Sequence, residues 1–257
     1  MSSAALTATA PHSWLERCGL AAGKVLAPIT FATSRVRNAR MFHPDGVMYQ
    51  ARVQTCGESP DLYALGMRLA GDAIVRLSSA WWRGKEWPDV LGLAVRFQSP
   101  GSQPLTPGPR DQDLLLATVR FPWTTPLAPL ATRFGSFLWN HYHAVSPFEA
   151  PEIGRVKLRL RSPRIENTGP LSRAEHLERA VVEGRAEWVL EARRLNRMAL
   201  VRHWEPVAML TLTRAIDVDQ TALRFSPFRT GRDLLPVGFV HYLRVAAYAA
   251  SQRGRPA

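Results

Sequence analysis

Short segments with the composition and alternation of β-strands recur along the chain, and this pattern constrains the fold more than any other feature. The predicted strands are Gly46–Val53, Ala73–Ser78, Leu91–Gln98, Asp113–Val119, Val156–Leu160, Ala186–Leu195 and Ala208–Ala215. They do not alternate regularly with helices, as the strands of a doubly wound sheet would. The order therefore predicts an α+β fold built on a closed antiparallel barrel of about eight strands with flanking helices. Closure removes sheet edges and leaves room at one end for a ligand.

Helical spacing of apolar residues is found mainly towards the two ends of the chain. The predicted helices are Trp14–Ala27, Leu171–Glu178 and Phe239–Gln252, with Pro126–Trp139 partly helical. The segment Leu62–Leu69 fits either a helix or a strand. Because no repeat and no long linker divides the chain, we expect residues 1–257 to form a single domain, with residues 1–12 flexible.

The chain carries a formal net charge of +12, nearly all of it from arginine. A basic surface can bind nucleic acid or an acidic membrane, and arginine can also grip an anionic ligand. A third explanation of the charge is compositional: the protein uses arginine where others use lysine. We favour this explanation. The charge is spread along the chain without a basic stretch interleaved with aromatic residues, so no nucleic-acid partner is expected.

The sequence predicts a soluble, cytoplasmic protein. No apolar run is long enough to span a bilayer, and the N-terminal MSSAALTATAPHSW has neither a basic start nor an apolar core typical of a signal peptide. The two cysteines, Cys18 and Cys56, lack metal-ligand spacing and are expected to be free thiols in a reducing compartment.

Arg244 and Tyr248 stand four residues apart in the C-terminal helical segment, and so on one face of a helix. A neighbouring guanidinium lowers the pKa of a phenol, and tyrosine is a known haem ligand. Small residues flank Tyr248 and would leave clearance for a flat macrocycle. Taken alone, the pattern also fits an ordinary terminal helix with a half-buried tyrosine.

A histidine precedes the first predicted strand, in the segment Arg40-Met41-Phe42-His43-Pro44-Asp45-Gly46. An imidazole at a strand entrance can face a barrel mouth and act as a general acid–base near neutral pH. Taken alone, His43 also fits a surface histidine in a turn.

Together the two segments resemble motifs of the haem catalases. These enzymes carry a distal histidine in an Arg-x-x-His-x-x-Gly motif and a proximal tyrosine in an Arg-x-x-x-Tyr motif on a late helix, with another arginine seven residues later. The matching positions are Arg40, His43 and Gly46, followed by Arg244, Tyr248 and Arg255. Between them, Val75-Arg76-Leu77-Ser78 looks like the Val-Arg-Phe-Ser strand, and Gly92-Leu93-Ala94-Val95-Arg96-Phe97 looks like the Gly-Phe-Ala-Val-Lys-Phe strand. Asp113-Leu114-Leu115 resembles the strand after it, and the ending from Leu235 to Arg253 resembles that of short, catalase-like bacterial proteins.

The resemblance implies haem b (iron protoporphyrin IX) as cofactor. It implies Tyr248 as the iron ligand, supported by Arg244, and His43 as the distal acid–base group that moves a proton between the two peroxide oxygens. A propionate-binding role for Arg76, and with it Arg40 and Arg255, is implied in the same way, because guanidinium groups bind carboxylates through paired, charge-assisted hydrogen bonds.

Departures from the catalase pattern bear on the reaction. The asparagine that orients peroxide in full catalases falls here on Ala117 or Thr118, and Gln252 replaces a histidine four residues after Tyr248. We therefore expect a haem peroxidase or catalase-like oxidoreductase that acts on hydrogen peroxide or organic hydroperoxides, with peroxidase activity favoured. Its partners would be a peroxide and a small organic reductant. A haem enzyme that rearranges fatty-acid hydroperoxides, a haem carrier or sensor, and a basic protein without haem remain alternatives, and the oligomeric state is open.

Two other clusters have simpler interpretations. His141 and His143 are two residues apart and could meet a metal only from one face of a strand, and no third ligand is nearby, so we do not expect a metal site. The tryptophans Trp81, Trp82 and Trp87 are more consistent with core or oligomer contacts than with a redox relay.

Overall fold

The computed structural model describes residues 14, 16–22, 46–82, 84–120, 124, 127–195, 203–220 and 222–243. Several predicted features lie outside these residues. They are residues 1–12, Arg40, His43, Arg244, Tyr248, Arg255 and most of the predicted C-terminal helix. Of the predicted site residues, Arg76 lies within the described part of the chain.

The fold is a closed antiparallel β-barrel, as the strand pattern predicts. The strands are β1 Gly46–Thr55, β2 Gly71–Ser79, β3 Leu91–Phe97, β4 Gln112–Ala117, β5 Tyr142–Ala144, β6 Phe148–Ala150, β7 Gly154–Arg161, β8 Glu187–Arg194, β9 Glu205–Ala215 and β10 Leu235–Pro236. Around the barrel they follow the order β7-β5-β4-β3-β2-β1-β9-β8, and pairing of β8 with β7 closes the ring of eight strands.

Two of the strands that the sequence pattern did not predict share one edge of β7. β5 pairs with its C-terminal part, through Tyr142 opposite Leu160, while β6 pairs with its N-terminal part, through Phe148 opposite Val156. β10 then adds to the free edge of β6. Three-residue strands are too short to show a period of two, which is why the sequence gave no signal for them.

In the described ranges, three helices lie between the strands. They are α1 Pro60–Leu69, α2 Ala128–Ala131 and α3 Arg173–Val182, and residues 16–22 and 239–243 are also helical. The ambiguous segment at 62–69 is thus helical, and Pro60 at the first turn favours that start because its fixed φ suits a helix. Ser172 and Glu175 form a capping box at the start of α3, each accepting a backbone N–H of the other.

Alternate residues of each strand fill the barrel. The inward side chains form one large apolar cluster that includes Val75, Leu93, Leu116 and Trp188. The intervening residues of β1–β4 point outwards, and here a second, smaller cluster joins Met48 and Ile74 to Leu223 and Phe225 of the chain after β9. We call residues 216–220 and 222–236 the return segment, because they cross back over this outer face.

A buried ion pair anchors the return segment. The side chains of Arg96 on β3 and Asp113 on β4 are fully buried and joined by hydrogen bonds of 2.8 and 3.2 Å. The backbone N–H of Ser226 donates to the same carboxylate at 2.8 Å, and Arg229 donates to it as well. Arg96 also donates to the carbonyl of Arg224. Burial raises the pKa of the Asp113 carboxyl, and the guanidinium groups of Arg96 and Arg229 act in the opposite direction.

The substitution Asp113→Asn should destabilise the fold by about 3–5 kcal/mol, because it leaves a buried arginine without its counter-charge. Urea unfolding followed by circular dichroism measures the change. Asp72→Asn is the matched control, because its pair with Arg52 is 2.7 Å long but lies at the surface, where such pairs contribute about 0–1 kcal/mol. Equal losses in the two variants would show that the buried pair does not anchor the return segment.

Candidate functional site

Four small residues stand side by side across the outer face of β1–β4. The strand register pairs Gly46 with Ser78, Ser78 with Gly92 and Gly92 with Ala117. We call these four the small-residue row. No side chain in it is larger than a serine hydroxymethyl, so this part of the barrel wall is nearly flat.

A buried arginine borders the row. Arg76 stands two residues before Ser78 on β2 and is 4% exposed. Its Nε donates a hydrogen bond of 3.0 Å to Oε1 of Gln220 in the return segment, and the Gln220 amide nitrogen donates to the carbonyl of Gly46. Gln220 thus links the guanidinium of Arg76 to the backbone of Gly46.

Glycine at position 46 permits this arrangement. A Cβ built there would lie 2.7 Å from Cζ of Arg76 and 2.7 Å from the carbonyl oxygen of Leu77. The Arg76 guanidinium therefore packs directly on the Gly46 backbone. In the sequence Gly46 is also the last residue of the segment Arg40–Gly46, and it is the one residue of that segment that the structure describes.

The register distinguishes Ala117 from Thr118, the two positions at which the resemblance places the catalase asparagine. Ala117 is the last residue of β4 and pairs with Gly92, so it belongs to the small-residue row. The Thr118 hydroxyl instead accepts from the backbone N–H of Leu91 at 3.2 Å and lies 2.9 Å from the hydroxyl of Thr132. Ala117 is thus the position on the outer face, and it carries only a methyl group.

A basic cluster continues the same face beyond the row. His143 on β5 pairs with Ala117, and Arg159 on β7 pairs with His143. His143 also lines a narrow cavity with Arg120, Lys157, Arg193 and Trp204. From the sequence, His143 was a candidate only for a metal ligand. The cluster gives no sequence signal, because its members come from five separate segments.

The electrostatics of the cluster keep His143 neutral near pH 7. Burial, the largest cause, and the nearby charges of Arg159 and His141 together lower its pKa to about 4. The guanidinium carbons of Arg159 and Arg193 lie 4.4 and 5.0 Å from the centroid of the Trp204 ring. Among the residues that the structure describes, no group of three histidine, cysteine or carboxylate side chains could hold a metal ion. Both cysteines are free, as predicted.

The architecture is that of a catalase-like β-barrel. Solved structures similar to it include a fungal catalase, which superimposes with a TM-score of 0.60 at 12% sequence identity. The superposition covers 84% of this chain and 59% of the fungal catalase, so the chain spans about three fifths of that protein. No protein-family description matches the sequence, and no curated protein does. At this identity the likeness concerns the fold.

The described residues also contain no helix that is both long and apolar enough to cross a membrane.

Gly46→Ala should lower the free energy of unfolding by about 1–3 kcal/mol, because the added methyl group overlaps both the Arg76 guanidinium and a backbone carbonyl. Thermal unfolding monitored by circular dichroism reports the loss. Gly135→Ala serves as the control, since a Cβ at that position meets no atom within 4 Å. If both variants unfold at the wild-type temperature, Arg76 does not pack on Gly46 as described.

Proposed function

We propose that this protein is a haem b-dependent oxidoreductase of the catalase-like type that acts on hydrogen peroxide or organic hydroperoxides. The observation that carries the proposal is the contact between buried Arg76 and Gly46, beside the small-residue row. It joins two motifs that resemble catalase motifs on a barrel of catalase-like fold. Each element alone is compatible with other proteins, but their conjunction at one place favours a haem site.

The described residues fit a haem group. A flat macrocycle requires a wall without protruding side chains, which the small-residue row provides. Haem propionates require a cation, and Arg76 supplies one at the edge of the row, where the barrel wall excludes water on one side. Arg40 and Arg255 would complete the propionate contacts in this proposal.

Tyr248 would hold the haem iron. Arg244, one helical turn earlier in sequence, would favour the phenolate by placing a positive charge beside it. Bound in this way, haem iron supplies the redox chemistry that cleaves the peroxide O–O bond. His43 would accept the proton from one peroxide oxygen and deliver it to the other, so that the departing oxygen leaves as water from hydrogen peroxide or as an alcohol from an organic hydroperoxide.

The methyl group of Ala117 favours peroxidase over catalase activity. Oxidation of a second peroxide requires that it be held in a fixed orientation, and an asparagine amide can do so by donating a hydrogen bond. A methyl group cannot donate. Thr118 directs its hydroxyl towards Thr132 and Leu91, so it does not replace the amide. Reduction of the first peroxide depends mainly on the proton transfer assigned to His43.

The experiment that tests the proposal is reconstitution of the purified chain with haemin, followed by visible absorption spectroscopy. The wild type should give a Soret band and a high-spin spectrum of the tyrosinate type. Tyr248→Phe should lose haem or lose that spectrum, because phenylalanine has no oxygen to bind iron. Tyr63→Phe, at an exposed tyrosine on α1, should behave as the wild type. Retention of the wild-type spectrum and haem content by Tyr248→Phe would refute the ligand assignment.

His43→Ala should keep haem bound but slow its reaction with peroxide by about a hundredfold to ten-thousandfold, the usual contribution of a general acid–base. Stopped-flow absorption after mixing with hydrogen peroxide measures this rate. The control is His203→Ala, at an exposed histidine before β9. An unchanged rate in His43→Ala would mean that another residue moves the proton.

The role of position 117 can be tested by restoring the amide. Wild-type protein should oxidise a phenolic dye readily and release oxygen slowly, whereas Ala117→Asn should raise oxygen release relative to dye oxidation. An oxygen electrode and a dye assay on the same sample give the ratio. Thr118→Asn, one residue away, should not raise it. Bound haem that is inert towards both peroxide and dye would instead indicate a carrier or sensor.

A further inference from the structure

The loop between β2 and β3 exposes tryptophan at the barrel surface. Trp82 is 39% exposed and Trp87 is 49% exposed, and their rings meet edge to face with centroids 5.1 Å apart. Nζ of Lys85 lies 4.3 Å from the centroid of the Trp87 ring. Tryptophan is costly to expose in water because of its large apolar area, so a pair of half-exposed indoles indicates a surface with a partner.

The loop holds these indoles in place through its own hydrogen bonds. Asp89 is fully buried and accepts the backbone N–H groups of Trp81, Trp82 and Val90 at 2.7–3.2 Å. The Trp82 indole N–H donates to the carbonyl of Pro88 at 3.0 Å. The exposed rings are therefore presented by an ordered loop, which lowers the entropic cost of binding.

Short helix α2 extends the apolar surface. Leu127 and Leu130 are 66% and 83% exposed, and Ala128 between them packs into a small cluster with Ala80 and Val90 at the two ends of the tryptophan loop. We call Trp82, Lys85, Trp87, Leu127 and Leu130 the tryptophan surface.

The charges of the tryptophan loop are arranged asymmetrically. Of its two carboxylates, Asp89 is buried, and Glu86, whose side chain is 36% exposed, is paired with Arg173, accepting its backbone N–H at 2.7 Å and lying 3.9 Å from its Nε. Lys85 instead lies over Trp87 at the surface. The chain as a whole carries a formal net charge of +12. A partner of this surface should therefore be both apolar and negatively charged.

We propose that the tryptophan surface docks on a membrane of anionic phospholipid. Indole rings prefer the boundary between headgroups and acyl chains, leucine side chains enter the acyl region, and lysine pairs with lipid phosphates. The net charge adds long-range attraction to an anionic bilayer, whereas it makes two copies of the chain repel each other. Charge complementarity thus favours a lipid surface over a second copy as the occupant.

Docking of this kind is independent of the proposed haem chemistry. The tryptophan surface consists of described residues whose positions do not depend on a cofactor. Ser78 and Gly92 of the small-residue row lie just outside the two ends of the loop, so docking would bring that row close to the lipid. The surface can therefore be tested on the full chain, with or without haemin, and failure of one proposal leaves the other standing.

The test is sedimentation of the full chain with large unilamellar vesicles. One set is made of phosphatidylcholine alone, and the other of phosphatidylcholine with phosphatidylglycerol in a roughly 7:3 ratio, which gives it a negative surface potential. The wild type should bind the anionic vesicles and bind the neutral ones far more weakly. Trp87→Ala and Leu130→Ser should each weaken binding to anionic vesicles at least about tenfold, since each removes apolar area that enters the bilayer.

Matched controls distinguish binding through the tryptophan surface from nonspecific binding through other exposed apolar side chains. Tyr63→Ala and Val182→Ser change residues of comparable exposure elsewhere, at 51% and 84%, and should bind anionic vesicles as the wild type does. Equal binding by all five proteins would overturn the proposal in favour of charge attraction alone. Absence of vesicle binding would also overturn it, and light scattering would then show whether the surface joins two copies, by a mass that falls to the monomer in Trp87→Ala.

Discussion

The ion pair between Arg96 and Asp113 is the interaction on which the outer face of the barrel depends. Both side chains are buried on neighbouring strands, where a single unpaired charge would destabilise the fold. Each residue neutralises the charge of the other. Most of the pair's other hydrogen bonds are made with the return segment, through Arg224, Ser226 and Arg229. Arg96 also donates to the carbonyl of Pro104. The ion pair thus attaches the return segment, which lies more than a hundred residues later in the chain, to strands β3 and β4.

That attachment has a further effect at Arg76. The return segment, once fixed over β3 and β4, carries Gln220 to the Arg76 guanidinium and to the carbonyl of Gly46. The guanidinium of Arg76, at the edge of the small-residue row, is therefore oriented partly by the contacts that fix the return segment to Arg96 and Asp113. Binding sites commonly rely on such supporting contacts, because a long arginine side chain loses considerable entropy when it is held in one position.

Much of the barrel could be predicted from the sequence, because strands of six or more residues show the alternation that separates core from surface. β5 and β6 could not be predicted, since three residues carry too little pattern and their placement depends on β7. At the site, the motif around Arg76 was recognisable, but its contacts with Gln220 were not, because 144 residues separate the partners. Which of Ala117 and Thr118 belongs to the small-residue row could be decided only from the strand register, and His43 and Tyr248 remain predictions.

Closure of the barrel has a consequence for how the chain acquires its structure. β1 can pair with β2 soon after both are synthesised, but its other edge is completed only by β9, near the end of the described chain. Until then β1 presents an unpaired edge of the kind that recruits other chains and leads to aggregation. Arg52, whose side chain stays 58% exposed on β1, and the register shift between Gln50 and Ala51 make that waiting edge charged and irregular. The charge and the irregularity that oppose aggregation during synthesis are thus located on β1, whose partner β9 is synthesised about 150 residues later.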